Sequence, residues 1–133
     1  MTQSNYVLLI DDDEATNFVN DILIKKSNVA ETTQSVQNAR EALKFIEKCV
    51  DQGNNLPDKI FLDINMPEFT GWDFLVEYAK IDQTVTNQIE VYMLSSSQNE
   101  EDVILADKNP LVKGFLHKPL TSERLMALFN QPS

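Results

Sequence analysis

"YVLLIDDDE", residues 6–14, runs a short apolar segment straight into three aspartates and a glutamate. A continuously apolar run ended abruptly by polar residues is the pattern of a strand buried on both faces of a parallel sheet. Past the acids, Phe18, Ile22 and the stem of Lys26 recur at helical spacing through "EATNFVNDILIKKS" (14–27), and Val19 and Leu23 widen that stripe. The unit reads as strand, then helix. Two carboxylates about 4 Å apart repel by roughly 4 kcal/mol at an effective dielectric near 20, so the acids between the two elements need a counter-charge or a task. Asp13, just before the helix, suits an N-cap, and Glu14 lies in the first turn, where the helix dipole favours negative charge. Asp11 and Asp12 are left for another purpose.

The same unit recurs along the chain. "VAETTQSV" (29–36) is weakly strand-like, and Asn38 can cap a helix carrying Ala39, Ala42, Leu43, Ile46 and Val50 before "DQGNNLPD" (51–58) breaks it. "KIFLDI" (59–64) is a buried strand that again closes on an aspartate, Asp63, and Pro67 and Gly71 mark the loop "NMPEFTG" (65–71). Phe74, Leu75, Tyr78 and Ala79 predict a helix over 70–80. "IEVYML" (89–94) predicts a strand running into Ser95, Ser96 and Ser97, and residues 100–108 a polar helix. "VKGFLHK" (112–118) is the fifth strand, ended by Pro119, and Thr121 caps a last helix, "TSERLMALF" (121–129). Five strands alternating with five helices predict an α/β fold with one parallel sheet covered on both faces. In such sheets ligands bind beyond the carboxyl ends of the strands, where the strand order switches.

At 133 residues the chain has the size of one domain. Twenty-one acidic against 11 basic residues give a net charge of −10, which argues against a nucleic-acid partner. No apolar run is long enough for a membrane span and the N-terminus lacks a secretory pattern, so a cytoplasmic location is expected. Cys49 falls in an apolar stripe with Ala42, Leu43 and Ile46 and reads as a core thiol.

The predicted strand ends carry Asp11, Asp12 and Asp13, then Asp63, Ser95 and Lys118. Converging carboxylates make an all-oxygen site suited to a hard divalent cation, with Mg²⁺ the first choice because it bridges carboxylates to phosphate. A lysine and a hydroxyl at the same end could engage phosphoryl oxygens. The combination points to phosphoryl transfer, in which a carboxylate can act as nucleophile.

"LLIDDDE", "FLDINMP", "YMLSSS" and "GFLHKPLT", in that order, resemble the receiver domain of bacterial two-component response regulators, of the single-domain, chemotaxis-regulator-like kind. The resemblance covers nearly the whole chain. It implies a doubly wound, flavodoxin-like sheet of order 2-1-3-4-5 and a signalling switch rather than an enzyme. Asp63 would accept a phosphoryl group from a phosphohistidine on a sensor histidine kinase or histidine phosphotransfer protein. It also implies Mg²⁺ held by Asp11, Asp12, Asp63 and the backbone carbonyl of Asn65, with Asp12 the more direct ligand of the acidic pair. Ser95 would be the switch hydroxyl, Lys118 the site lysine and Phe115 the switch aromatic. The output face would comprise the fourth helix, fifth strand and fifth helix, around residues 98–130. On this reading residues 1–133 form one receiver domain with no output domain.

Ser96 and Ser97 compete with Ser95 for the switch position, and register selects Ser95. His117, the only histidine, has no partner suggesting catalysis and reads as structural or exposed. Trp72 reads as core or rim. "CVDQGNNLPD" (49–58) and "KNPLVKGF" (108–115) depart from the commonest family pattern and bear on partner surfaces rather than on the acids. A haloacid-dehalogenase-type phosphatase is the rival enzyme, but its motif would pair Asp11 with Asp13 and place Thr or Val at position 15, which is Ala. A receiver-like interaction module that takes no phosphate is the third reading.

Overall fold

The computed structural model describes residues 6–53, 55–66, 69–95 and 100–129. Its elements run β1 (Tyr6–Ile10), α1 (Glu14–Lys26), β2 (Thr32–Val36), α2 (Ala39–Gln52), β3 (Lys59–Asp63), α3 (Gly71–Tyr78), α4 (Gln83–Thr86), β4 (Glu90–Ser95), α5 (Glu100–Lys108), β5 (Val112–His117) and α6 (Ser122–Phe129). The five strands form one sheet in the order β2-β1-β3-β4-β5, and every pair is parallel. The chain leaves β1 for the edge at β2 and then crosses back to β3, so the order reverses between β1 and β3. That is where Asp11 and Asp63 emerge.

The apolar runs are continuous because each strand serves two cores. Leu8, Ile10, Ile60, Leu62, Val91 and Met93 face α2 and α3, packing with Ala42, Ile46, Phe74 and Tyr78. Val7, Leu9, Phe61, Tyr92, Leu94 and Leu116 face the other way, with Ile24 of α1 and Leu125 of α6. Burying one such aliphatic or aromatic side chain stabilises by about 1.5–3 kcal/mol, so the central strands anchor the sheet. β2 is a polar edge strand, with Thr32, Gln34 and Ser35 exposed.

Helix boundaries follow capping chemistry. The Asp13 side chain accepts a hydrogen bond from the Ala15 amide at 3.0 Å, as its position suggested. Asn38 Oδ1 accepts from the Glu41 amide at 2.8 Å, and Gly53, in the left-handed region at φ 67°, ends α2. Thr70 and Asp73 form a reciprocal capping box. Thr121 Oγ1 accepts from the Arg124 amide at 3.2 Å. The helices number six rather than five among the described residues, because Asp82 caps a one-turn helix, α4, too short to show a periodic pattern.

Two apolar stripes face differently from their spacing. On α1, Phe18, Val19 and Ile22 are 65%, 59% and 47% exposed, and the buried positions are Asn17, Asn20 and Ile24. The Asn17 amide reaches buried carbonyls at the sheet end, which favours the rotation that brings the asparagines inward. On α2, Val50 is exposed while Ala39, Ala42, Ile46 and Cys49 are buried.

Candidate functional site

The site forms where three strands end. β1 delivers Asp11, buried against the sheet, and β3 delivers Asp63, buried beside it. Lys118, just after β5, reaches across the end of β4, and its Nζ lies 2.6 Å from Asp11 Oδ2 and 3.4 Å from Asp63 Oδ1. Backbone amides complete the support: Asp13 N donates to Asp11 Oδ1 at 3.0 Å and Asn65 N to Asp63 Oδ1 at 3.2 Å. Asp12 is exposed at the mouth, yet one carboxylate oxygen from each of Asp11, Asp12 and Asp63 lies within 4.8 Å of the others. Three hard oxygen donors against one ammonium suit a divalent cation.

The electrostatics agree with this crowding. Burial, and then the neighbouring charge of Asp11, push the Asp63 carboxyl up to about 6, with Lys118 and the Asn65 amide only partly offsetting them. Burial alone would draw Lys118 down, but its hydrogen bond to Asp11 and the charges of Asp63 and Asp11 outweigh that and hold it above the ordinary lysine value. Lys118 is therefore a firm cation, and Asp63 is the strained anion. Asp13 stands apart: hydrogen bonds from the Thr16 side chain and the Ala15 amide hold its carboxyl below the usual range, as an N-cap should be.

Ser95 is fully buried at the end of β4, paired in register with His117. Its carbonyl accepts from the Lys118 amide at 2.9 Å, so the hydroxyl-bearing strand and the lysine share one anchor. Ser96 and Ser97 lie outside the described residues, as does Pro67. Phe115 is half-buried on β5, opposite Met93, and meets His117 edge-on at 5.4 Å. His117 itself is exposed at the strand end. Trp72 is half-buried against the core, and its indole N–H donates to Asp102 at 3.3 Å, joining α3 to α5. Cys49 is buried, which pushes its thiol up, away from reactivity.

Two contributors escaped the sequence reading. Gly71 was legible as a turn residue, but its role is close approach: a Cβ there would lie 2.8 Å from the Asp63 carbonyl oxygen and 2.9 Å from Ile64 Cα. Its amide also donates to the Ile64 carbonyl at 3.0 Å, so α3 starts hard against the acid-bearing strand. Asn17 Nδ2 donates to the Asp11 carbonyl at 3.0 Å. An asparagine in an amphipathic pattern carries no mark of such a partner.

A family model, the response regulator receiver domain, matches residues 7–130. The solved structure of a two-component response regulator from Cytophaga hutchinsonii is similar, with a TM-score of 0.90, 33% identity, and coverage of 97% of this chain and 96% of that one. A response regulator receiver protein from Dyadobacter fermentans superposes with a TM-score of 0.80 at 27% identity, over 96% of this chain and all of its own. A curated relative, the two-component response regulator ORR1 of Oryza sativa subsp. japonica, is 29% identical over 126 residues, or 93% of this chain. The chain spans about half, 53%, of that relative's length. No helix among the described residues is long and apolar enough to cross a membrane. The dehalogenase-type alternative loses its footing, because the Asp13 carboxylate accepts from the Ala15 amide and the Thr16 hydroxyl at the start of α1 instead of joining the Asp11 carboxylate. With the family model spanning the sheet, its helices and the acids at the strand switch, the chain belongs to the response regulator receiver domain family, phosphoacceptor regulatory modules of two-component signalling.

Proposed function

We propose that the protein is a phosphorylation-dependent switch in which Asp63 takes a phosphoryl group from a phosphohistidine on a sensor histidine kinase or histidine phosphotransfer protein. The observation that carries this reading is Asp63 itself: a buried strand-end carboxylate, raised to about 6, beside two further acids and one lysine. Its Oδ1 is engaged by Lys118 and the Asn65 amide, while Oδ2 has no hydrogen-bond partner among the described residues and is available to attack. In the transfer a bond forms between that oxygen and phosphorus, the phosphorus–nitrogen bond of the donor breaks, and its electron pair remains on the imidazole.

Mg²⁺, held by Asp11, Asp12, Asp63 and the Asn65 carbonyl, would neutralise the phosphoryl oxygens as they meet three carboxylates. The Lys118 ammonium, now shared by Asp11 and Asp63, can turn to a phosphoryl oxygen with a charge-assisted bond. Ser95 supplies the hydroxyl for the same group, and Phe115 repacks behind it, shifting a two-state equilibrium. The exposed apolar face of α1, with Phe18, Val19 and Ile22 on the helix that follows Asp12, supports docking of a protein donor. Val103, Ile104, Leu105 and Met126, exposed on α5 and α6, support an output surface over residues 98–130. The chain would work as a single receiver domain in the cytoplasm, binding neither nucleic acid nor membrane.

Incubation with a phosphorylated histidine phosphotransfer protein tests the reading. Label should pass to the wild-type chain with Mg²⁺ and not to Asp63→Asn. A wild-type chain that takes no label, and whose partner binding is unchanged by treatment with the phosphodonor, would favour an interaction module instead.

A further inference from the structure

We propose that Asn17 is a positioning residue for the cation site, fixing the Asp11–Asp12 peptide so that the Asp12 carboxylate is aimed at Asp63; this rests on the Mg²⁺ reading above. Asn17 is only 4% exposed, on the face of α1 that packs toward the sheet. Its side-chain nitrogen donates to the Asp11 carbonyl at 3.0 Å and lies 3.4 Å from the Val36 carbonyl at the end of β2. Two carbonyl acceptors fix the amide's orientation, and its oxygen is left buried with no partner among the described residues. An apolar residue of the same volume would leave no such orphan, so packing alone does not account for asparagine here.

The three acids differ in what holds them. The Asp11 carboxylate is fixed by the Asp13 amide and Lys118, and that of Asp63 by the Asn65 amide and Lys118. Among the described residues nothing hydrogen-bonds the carboxylate of Asp12, which stands exposed at the mouth. Its aim is therefore set by its backbone. The peptide that enters Asp12 carries the carbonyl that Asn17 holds, and the preceding peptide is tied by the Asp11 amide to the Val36 carbonyl at 3.2 Å. Asn17 completes a clamp joining β1, β2 and α1 directly behind the exposed ligand. Such outer contacts set how well a ligand is pre-aimed, and so govern affinity for the ion more than the chemical step.

Isothermal titration calorimetry with Mg²⁺ tests this on the wild type, Asn17→Ala, Asn17→Leu and Asp12→Asn. Asn17→Leu fills the buried volume without the donor, which guards against loss of fold in the alanine variant; circular dichroism checks both. The Asn17 variants should bind Mg²⁺ roughly tenfold more weakly, as loss of an outer-shell partner does. Their phosphorylation by acetyl phosphate should need correspondingly more Mg²⁺ yet reach nearly the wild-type rate at saturation. A merely structural role would lower the saturating rate or the melting temperature without shifting the Mg²⁺ midpoint. Folded Asn17→Leu with wild-type Mg²⁺ affinity overturns the inference while leaving the metal reading intact. Wild-type protein that binds no Mg²⁺, or Asp12→Asn that binds it unchanged, overturns the metal reading and the inference with it.

Discussion

Asp63, the proposed phosphoacceptor, is buried, and burial beside Asp11 makes it uncomfortable as an anion. A carboxyl with a folded-state value near 6, above the ordinary aspartate range near 4, binds more protons folded than unfolded across that interval. Stability therefore falls as pH rises through the window, and the penalty is complete at neutral pH. Asp63→Asn should stabilise the metal-free protein by about 2 kcal/mol at neutral pH, allowing for partial solvent screening, and have no stabilising effect below about pH 4. Urea unfolding at the two pH values measures the difference. At this scale the sequence was informative because an acid at an abrupt strand end is visible in one dimension. Asp11, Asp12, Asp63 and Lys118 could be gathered on that ground, and the structure brings them together. Asn17 could not, since its partners are backbone carbonyls of Asp11 and Val36, which no side-chain pattern reports.

The elements hold the acids through a few close contacts. α3 begins against β3 only because position 71 lacks a side chain. Gly71→Ala should destabilise by about 1–3 kcal/mol through overpacking, read in urea unfolding, and slow phosphorylation by moving Asp63. α1 teaches the opposite lesson about apolar spacing. Its Phe18, Val19 and Ile22 form a helical stripe that reads as core but faces solvent, because the buried positions go to Ile24, Asn20 and Asn17, the last of which bonds the Asp11 carbonyl. Phe18→Ser should change stability by less than about 0.5 kcal/mol. It should weaken transfer from a phosphohistidine protein while leaving labelling by acetyl phosphate unchanged. The caps at Asp13, Asn38 and Thr121 were legible, being local in sequence, whereas Thr70, placed within the expected helix, proves to be its cap. The one-turn α4 was not, since four residues are too few to display a period.

Across the whole molecule, a net charge of −10 and three carboxylates at one crevice make the fold sensitive to cations in two ways. Any salt screens the diffuse repulsion, but only an ion bound at the site adds linkage stabilisation, about 2.7 kcal/mol when free Mg²⁺ is roughly one hundred times its dissociation constant. Thermal melts in MgCl₂ and in NaCl of equal ionic strength separate the two, and Asp12→Asn should lose the Mg²⁺ excess. Strand order was implied by the family resemblance rather than by the alternation of elements, which fixes a parallel sheet but not its permutation.

Intact-mass spectrometry after incubation with acetyl phosphate and Mg²⁺ tests the assignment of Asp63 most directly. The wild-type chain should gain the mass of one phosphoryl group, and Asp63→Asn should gain none. A wild-type chain that stays unmodified, or an adduct that persists in folded Asp63→Asn, would contradict it.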